Sequence, residues 1–412
     1  MSTAAASTRA IALDLTPVEV VARCRHLPEL VFFDTALEAR DHGAISLVAA
    51  NPCRIIEGGD AQWSILQDAL AARWSADGFD SGLPHGFAAG VVGYDGTFRF
   101  GIYEDALLFR HADQMWTEVG DMLSQLAAPA PGSKIAPPRF TPALDRDRFC
   151  SMVARALGYI ARGDIYQVNL AHRLTAPWLG DPFTFYEALR HYSPAPHAAF
   201  LQAGERAILS ASPEMFLKMS GRSIRTRPIK GTRPRRADLH ADEKSAYDLI
   251  TSPKEIAELV MITDLERNDL GQVCDFGSVI VAELLKLERF EQVFHLVSTV
   301  DGRLRAGVDH IAALRACFPG GSITGTPKKR AREIIAELES EPRGLYTGAI
   351  GWFGFNGESQ FNIAIRTAII EGDLAHFHVG AGIVADSIPE NEWQETLDKA
   401  AGILLAAERM AR

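Results

Sequence analysis

LYTGAIGWFGFNGESQFNIAIRTAIIEGDLAHFHVGAGIV, residues 345 to 384, is a succession of strand candidates with no helical stretch between them. A second such run covers 197 to 227, while the helical patterns are grouped elsewhere. Strands in runs and helices in runs predict an α+β fold with large antiparallel or mixed sheets, not a regular βαβ repeat. Working outward, residues 1 to 126 mix short β-type runs (VFFDTA, AISLVAA, GFAAGVVGY) with a helix predicted over 60–74. The stretch APAPGSKIAPPRFTP, 128 to 142, is proline-rich and aperiodic, and reads as an exposed loop or linker between 1–127 and 143–412. Beyond it Phe149, Met152, Val153, Leu157 and Ile160 recur at helical spacing, and Gly163 closes that helix before YQVNLAHRL.

A chain of 412 residues suggests two or three domains by length alone, although sheet-based folds often exceed ~200 residues as one unit. Its 42 Lys and Arg against 52 Asp and Glu give a net charge of −10, so a general electrostatic footprint for nucleic acid is missing. Any anion must be held locally. Cys24, Cys53, Cys150, Cys274 and Cys317 show no zinc-ligand spacing and read as reduced core residues. Neither a signal-type h-region nor a membrane-length apolar run is present, so no membrane partner and a cytoplasmic protein are expected.

Several stretches invite chemistry. In RPIKGTRPR, 227 to 235, Lys230 stands among Arg225, Arg227, Arg233, Arg235 and Arg236. A solvated anion-binding face is the plain reading; a lysine ringed by cations can instead lose its proton and act as a nucleophile. GAGIVA fits a GxGxxA fingerprint at Gly380, Gly382 and Ala385, but no helix opens at once after it. GGSITGTPK has P-loop spacing with Thr326 in place of the phosphate-reaching lysine, so an ATP reading fails. It offers instead a loop feeding a helix, with Thr326 as N-cap and Pro327 first, suited to a carboxylate.

Ser252, Pro253 and Glu255 form a capping-box pattern, with Glu258 nearly one turn on. On the C-terminal helix Trp393, Leu397, Ala400 and Leu404 form one stripe, and Glu392, Glu395 and Lys399 another. An ordinary solvated face with a Glu395/Lys399 pair explains that helix in isolation. Two helices presenting glutamates one turn apart can also hold Mg²⁺ through a few direct oxygens plus water. Histidine and cysteine are absent from these clusters, which favours a hard cation over zinc.

GDIYQVNLA (163–171), SPEMF (212–216), PIKGTRPR (228–235), ELVMITDLERNDLG (258–271), FPGGSITGTPK (318–328), YTGAIGW (346–352), IRTA (365–368) and GAGIVADSIPENEWQETLDKA (380–400) follow the order of chorismate-utilising enzymes, a family the chain resembles. Before residue 163 the likeness rests on GFAAGVVGYD (86–95). Within the family it is most similar to component I of aminodeoxychorismate synthases, because Lys230 stands where anthranilate and isochorismate or salicylate synthases usually carry alanine.

The resemblance implies one large domain, two β-sheets packed as a sandwich surrounded by helices, as in anthranilate synthase component I. It implies Mg²⁺ held by Glu258 and Glu395, with Glu255 and Glu392 acting through water. Arg366 and Tyr346, joined by backbone near Gly380 and by Thr324 and Gly325 of the GGSITG loop, match holders of a substrate carboxylate. Glu214 matches the general acid, and His295 and Lys399 match further active-site positions. Gln167 stands where water-activating members carry lysine, which makes ammonia the expected nucleophile. No GxCxGxQ glutaminase signature and no lyase domain occur in the sequence. Ammonia from a separate glutamine amidotransferase subunit is therefore expected. The implied product is 4-amino-4-deoxychorismate, on the way to para-aminobenzoate and folate, with anthranilate synthase component I or a non-catalytic chorismate binder as alternatives.

Overall fold

The computed structural model describes residues 8–36, 45–76, 82–129, 137–290 and 293–410. Two sheets, every strand pair in them antiparallel, form one domain, as expected. The larger sheet has twelve strands, and Gln167–Pro177 and Leu374–Ile383 pair near one end of it. The other has ten, with Ile229–Pro234, Val293–Arg303 and Ser223–Arg227 near one end. Between the sheets lie Val31, Leu47, Phe87, Ala199, Ile208, Ile350 and Trp352, the sandwich core. Separate apolar layers seat the surrounding helices on the outer faces. At ~25 cal/mol per Å², burying each of the larger aliphatic side chains among these contributes roughly 1.5–3 kcal/mol.

The two strand runs that announced the fold each change sheet once. His197–Ala203 and Arg206–Ser212 lie in the larger sheet, whereas Met215–Ser220 and Ser223–Arg227 lie in the smaller. Conversely Ala349–Gly354 and Glu358–Ile363 belong to the smaller sheet, and Thr367–Glu371 and Leu374–Ile383 to the larger. The crossing segments touch. Ala211 N donates to Arg366 O (3.0 Å), Ile363 N to Glu214 O (3.1 Å), and Ser212 Oγ to Ile363 O (2.6 Å). Backbone groups leaving one ladder are thereby satisfied by the other crossing.

Some local expectations shift. The 60–74 helix is a 3₁₀ turn, Asp60–Gln62, followed by Trp63–Ala71. Residues 130–136 of the proline-rich stretch lie outside the described residues; its end, Thr141–Pro142, pairs with Gln167–Pro177. Only Cys24, Cys274 and Cys317 are core residues, while Cys53 is exposed and Cys150 half-buried. No described helix is long and apolar enough to cross a membrane.

Candidate active site

The sheet crossings bring Glu214 and Arg366 together. Burial pushes the Glu214 carboxyl above the ordinary glutamate range, against the pull of the Lys230 ammonium. Burial also lowers Arg366, whose attraction to Glu214 opposes the shift. Arg366 has φ +49°, and Thr347, beside Tyr346, has φ +60°. Left-handed backbone at two non-glycine residues flanking one site is strain that the surrounding ladders hold in place.

Lys230 lies on Ile229–Pro234, where a bulge interrupts the ladder between Lys230 and Thr232. Gly231 makes that bulge with φ +72°, and a Cβ there would stand 2.9 Å from Glu255 Oε2 and 2.6 Å from Leu249 Cδ1. Glycine therefore lets the Pro253–Gly271 helix approach the strand. Lys230 Nζ donates to Ser322 O at 3.2 Å.

Four of the five arginines expected to ring Lys230 pair with acids instead. Arg225 pairs with Asp301, Arg227 with Glu288, Arg233 with Glu255 and Arg235 with Asp242. Each guanidinium is neutralised by its own acid, and the groups that feel Lys230 are the carboxylates Glu214, Glu258 and Glu395. Adjacency in sequence misread the charge because the strand pairs reach acids 7 to 76 residues away.

On the other side, Gly380 accepts from Lys399 Nζ (2.9 Å), and a Cβ at Gly380 would stand 2.7 Å from the Tyr346 hydroxyl. Tyr346 is buried and stacks on His378, with ring centroids 5.3 Å apart. Gln167 is buried, and neither its amide oxygen nor its nitrogen has a partner among the described residues. Gly325, at φ +140°, passes so close to Gln167 O that a Cβ would collide with it. His295 bonds Thr232 Oγ1 (2.9 Å) through Nδ1, and burial draws its pKa down to about 4, leaving it neutral near pH 7.

Thr324 does not offer its hydroxyl to the site. Oγ1 donates to Gly320 O (3.0 Å) and Gly321 O (3.3 Å), and N to Gly321 O, so the side chain shapes the loop. Nor does Thr326 cap the next helix: Pro327 is the N-cap of Lys328–Leu338, and Thr326 forms a two-residue strand with Gly325. The loop is anchored by Arg343, which the sequence reading missed. Its guanidinium donates to Ile323 O, Thr347 Oγ1, Asn169 O and Glu339. A buried arginine in EPRGLYTG was the available signal, but its acceptors are set by tertiary structure.

The carboxylates lie on helices Pro253–Gly271 and Pro389–Arg409. Ser252 Oγ accepts from Glu255 N, but the Glu255 side chain turns to Arg233 (3.3 Å), so the reciprocal half of the capping box is not made. On the C-terminal helix the buried stripe is Glu392, Thr396, Ala400 and Ile403; Leu397 is only half-buried. Glu392 is 2% exposed and thus belongs to the inward face, not to a solvated one.

Burial raises the pKa of Glu258 and of Glu392, whereas Glu395, against its own burial, is held low by Lys399, Lys254 and Lys230. Lys399 Nζ is 2.7 Å from Glu395 Oε1. Lys254 Nζ lies 3.9 Å from both Glu258 Oε1 and Glu392 Oε1, bridging the two helices.

Among the described residues no three His, Cys, Asp or Glu side chains converge as a preformed cation site. Yet Glu258 Oε1 and Glu392 Oε2 are buried without a hydrogen-bond partner, and an ammonium already reaches between them. An all-oxygen donor set with two unpartnered oxygens fits Mg²⁺.

The comparisons bear on the same residues. The curated aminodeoxychorismate synthase component 1 of Bacillus subtilis is 44% identical over 297 residues, 72% of this chain and 62% of that protein. An anthranilate synthase component 1 of Haloarcula marismortui is 47% identical over 263 residues, 64% of this chain and 54% of that one. The chain thus spans less than two thirds of the length of these curated relatives. The crystal structure of anthranilate synthase component I from Streptococcus pneumoniae matches with a TM-score of 0.79 at 31% identity, covering 91% of this chain and 94% of that one. The family model described as chorismate binding enzyme matches residues 65–405, a range that takes in both sheet crossings and both carboxylate helices, and the chain belongs to that family.

Proposed function

We propose that the chain is component I of an aminodeoxychorismate synthase, which replaces the C4 hydroxyl of chorismate with an amino group. The observation that supports this most is Lys230 in the electrostatic reach of Glu214 beside the sheet crossings, its amine 3.2 Å from Ser322 O. Lys230, once its ammonium has released a proton to water, attacks C2 as the free amine while the ring double bond shifts and the C4 hydroxyl leaves, taking the Glu214 proton to depart as water. Ammonia then adds at C4, the double bond returns, Lys230 is expelled from C2 as the amine, and the C4 ammonium returns a proton to Glu214. Chorismate and ammonia give 4-amino-4-deoxychorismate and water.

The raised pKa of buried Glu214 suits it to this step, since a general acid must hold its proton near neutral pH. Arg366, Tyr346 and the Gly380 and Gly325 backbone hold substrate carboxylates. Glu258 and Glu395, with Glu255 and Glu392 through water, hold Mg²⁺, which supplies positive charge to a carboxylate when bound.

Ammonia comes from a separate glutamine amidotransferase subunit. All five thiols support this: burial raises Cys24 to about 12 and Cys274 to about 11, and Cys53, Cys150 and Cys317 are raised too. A glutaminase nucleophile needs the opposite shift. The reading includes a place in cytoplasmic folate synthesis.

The purified chain, given chorismate, Mg²⁺ and an ammonium salt, should yield 4-amino-4-deoxychorismate by mass spectrometry, and Lys230→Ala should lose any chorismate-derived adduct mapping to residue 230. Fluorescent anthranilate as the product would favour anthranilate synthesis, the reading supported by the 47% identical Haloarcula relative. Absence of an adduct in the native chain at short times would return Lys230 to an anion-binding role.

A further inference from the structure

Among the described residues three lysines face the glutamate cluster, and two of them have other work. Lys230 meets Glu214, and Lys399 is shared between Glu395 and the Gly380 carbonyl. Lys254 remains. It sits in the first turn of the Pro253–Gly271 helix, where the positive end of the helix dipole disfavours a cation. Its position therefore does not serve the helix. Its Nζ stands 3.9 Å from oxygens of Glu258 and Glu392, at the edge of hydrogen bonding, while each of those side chains keeps a buried oxygen without a partner. The lysine side chain is 50% exposed, so its charged end has a short path into water.

We propose that Lys254 is a built-in counter-ion: it neutralises the Glu258/Glu392 pair when no divalent cation is bound, and must withdraw toward solvent when Mg²⁺ enters, so that this residue sets the cation affinity. The inference rests on the reading of these glutamates as the Mg²⁺ site. Without the ammonium, two partly buried carboxylates would face each other with only the more distant charges of Lys230 and Lys399 to offset them. With it, the cation must displace a charge already in place, and the resulting affinity is weaker than the carboxylates alone would give. A unit charge about 4 Å from two ligands, at the effective dielectric of a protein surface, is enough to shift binding by tenfold or more.

The test is calorimetric titration of Mg²⁺ into the folded chain without substrate, for the native protein, Lys254→Met, Lys254→Gln and Glu258→Gln, with melting temperatures at zero and saturating Mg²⁺. Both lysine variants should bind Mg²⁺ at least about tenfold more tightly than the native chain. Their melting temperatures should be lower without Mg²⁺ and approach the native value at saturation. Unchanged or weaker affinity in both overturns the proposal, and an equal melting deficit with and without Mg²⁺ does so as well, leaving Lys254 as a plain link between helices. If native chain and Glu258→Gln bind Mg²⁺ alike, or neither binds it, the glutamate reading itself falls and takes this inference with it.

Discussion

The two ends of the Pro253–Gly271 helix carry the same residue types and treat them in opposite ways. At the C-terminal end Glu266 and Asp269 are buried and their bonds are complete: Lys328 Nζ donates to Asp269 Oδ2 (2.7 Å) and to Cys317 O (3.0 Å), and Gly321 N to Glu266 Oε1 (3.2 Å). At the N-terminal end Glu258 keeps an unpartnered oxygen and its nearest lysine stays at 3.9 Å. A finished polar network rigidifies what it touches, here the loop from Gly320 to Thr326. An unfinished one holds capacity for something else to bind. Glutamates on one helix can thus be sorted by completeness of bonding.

Breaking the open end should cost the most activity. Glu258→Gln or Glu395→Gln is expected to lower turnover by about 10³-fold or more while the melting temperature stays near native, because the proposed Mg²⁺ site has few charged ligands to spare. Near-normal rates at low millimolar Mg²⁺ would erase the distinction between the two ends.

Breaking the closed end should instead cost stability. Lys328→Met leaves Asp269 buried and unpaired, so denaturant unfolding should show a loss of roughly 3 kcal/mol. A loss confined to activity would mean that the network is not structural.

Glu266 sharpens the contrast through pH. Burial, reinforced by Asp269, raises its pKa to about 8, far above the ordinary 4.5. A carboxyl whose folded value exceeds its unfolded one contributes stability that is complete below about 4.5 and is lost as pH rises toward 8. From pH 6 to 7 the native chain should lose stability from this group, on the order of 1 kcal/mol, and Glu266→Gln should remove that slope. Parallel stability profiles for the two proteins would refute the assignment.

The smallest effect is expected at Arg233, whose pair with Glu255 is partly exposed. Arg233→Ala should change unfolding stability by less than about 1 kcal/mol. A larger loss would make Glu255 part of the structural end of the helix.

The sheets were legible because strand periodicity is local, and the runs 197–227 and 345–384 hold most of the residues that form both crossings. Helices Arg146–Ala161 and Pro389–Arg409 were legible for the same reason, with Gly163, at φ +78°, just past the end of the first as expected. Charge was not. The arginines around Lys230 looked like a cationic ring because their acids, such as Asp301 and Glu288, are distant in sequence. The inward face of the last helix was misjudged because a wheel ranks Glu392 as polar and cannot know that Lys254 waits opposite. Arg343 was missed, and the Thr324 hydroxyl was given to the substrate, because the partners of both include backbone carbonyls, which every residue carries.

Glu214 and Arg366 are each fixed where the chain steps from one sheet to the other, and the two steps are tied by three hydrogen bonds. The pair behaves as a vernier between two rigid plates. Any slip of one sheet over the other, however remote its origin, changes how the acid stands relative to the guanidinium. A repacking at Ile350 or Trp352, deep between the sheets, would therefore alter reaction rate before it unfolded anything.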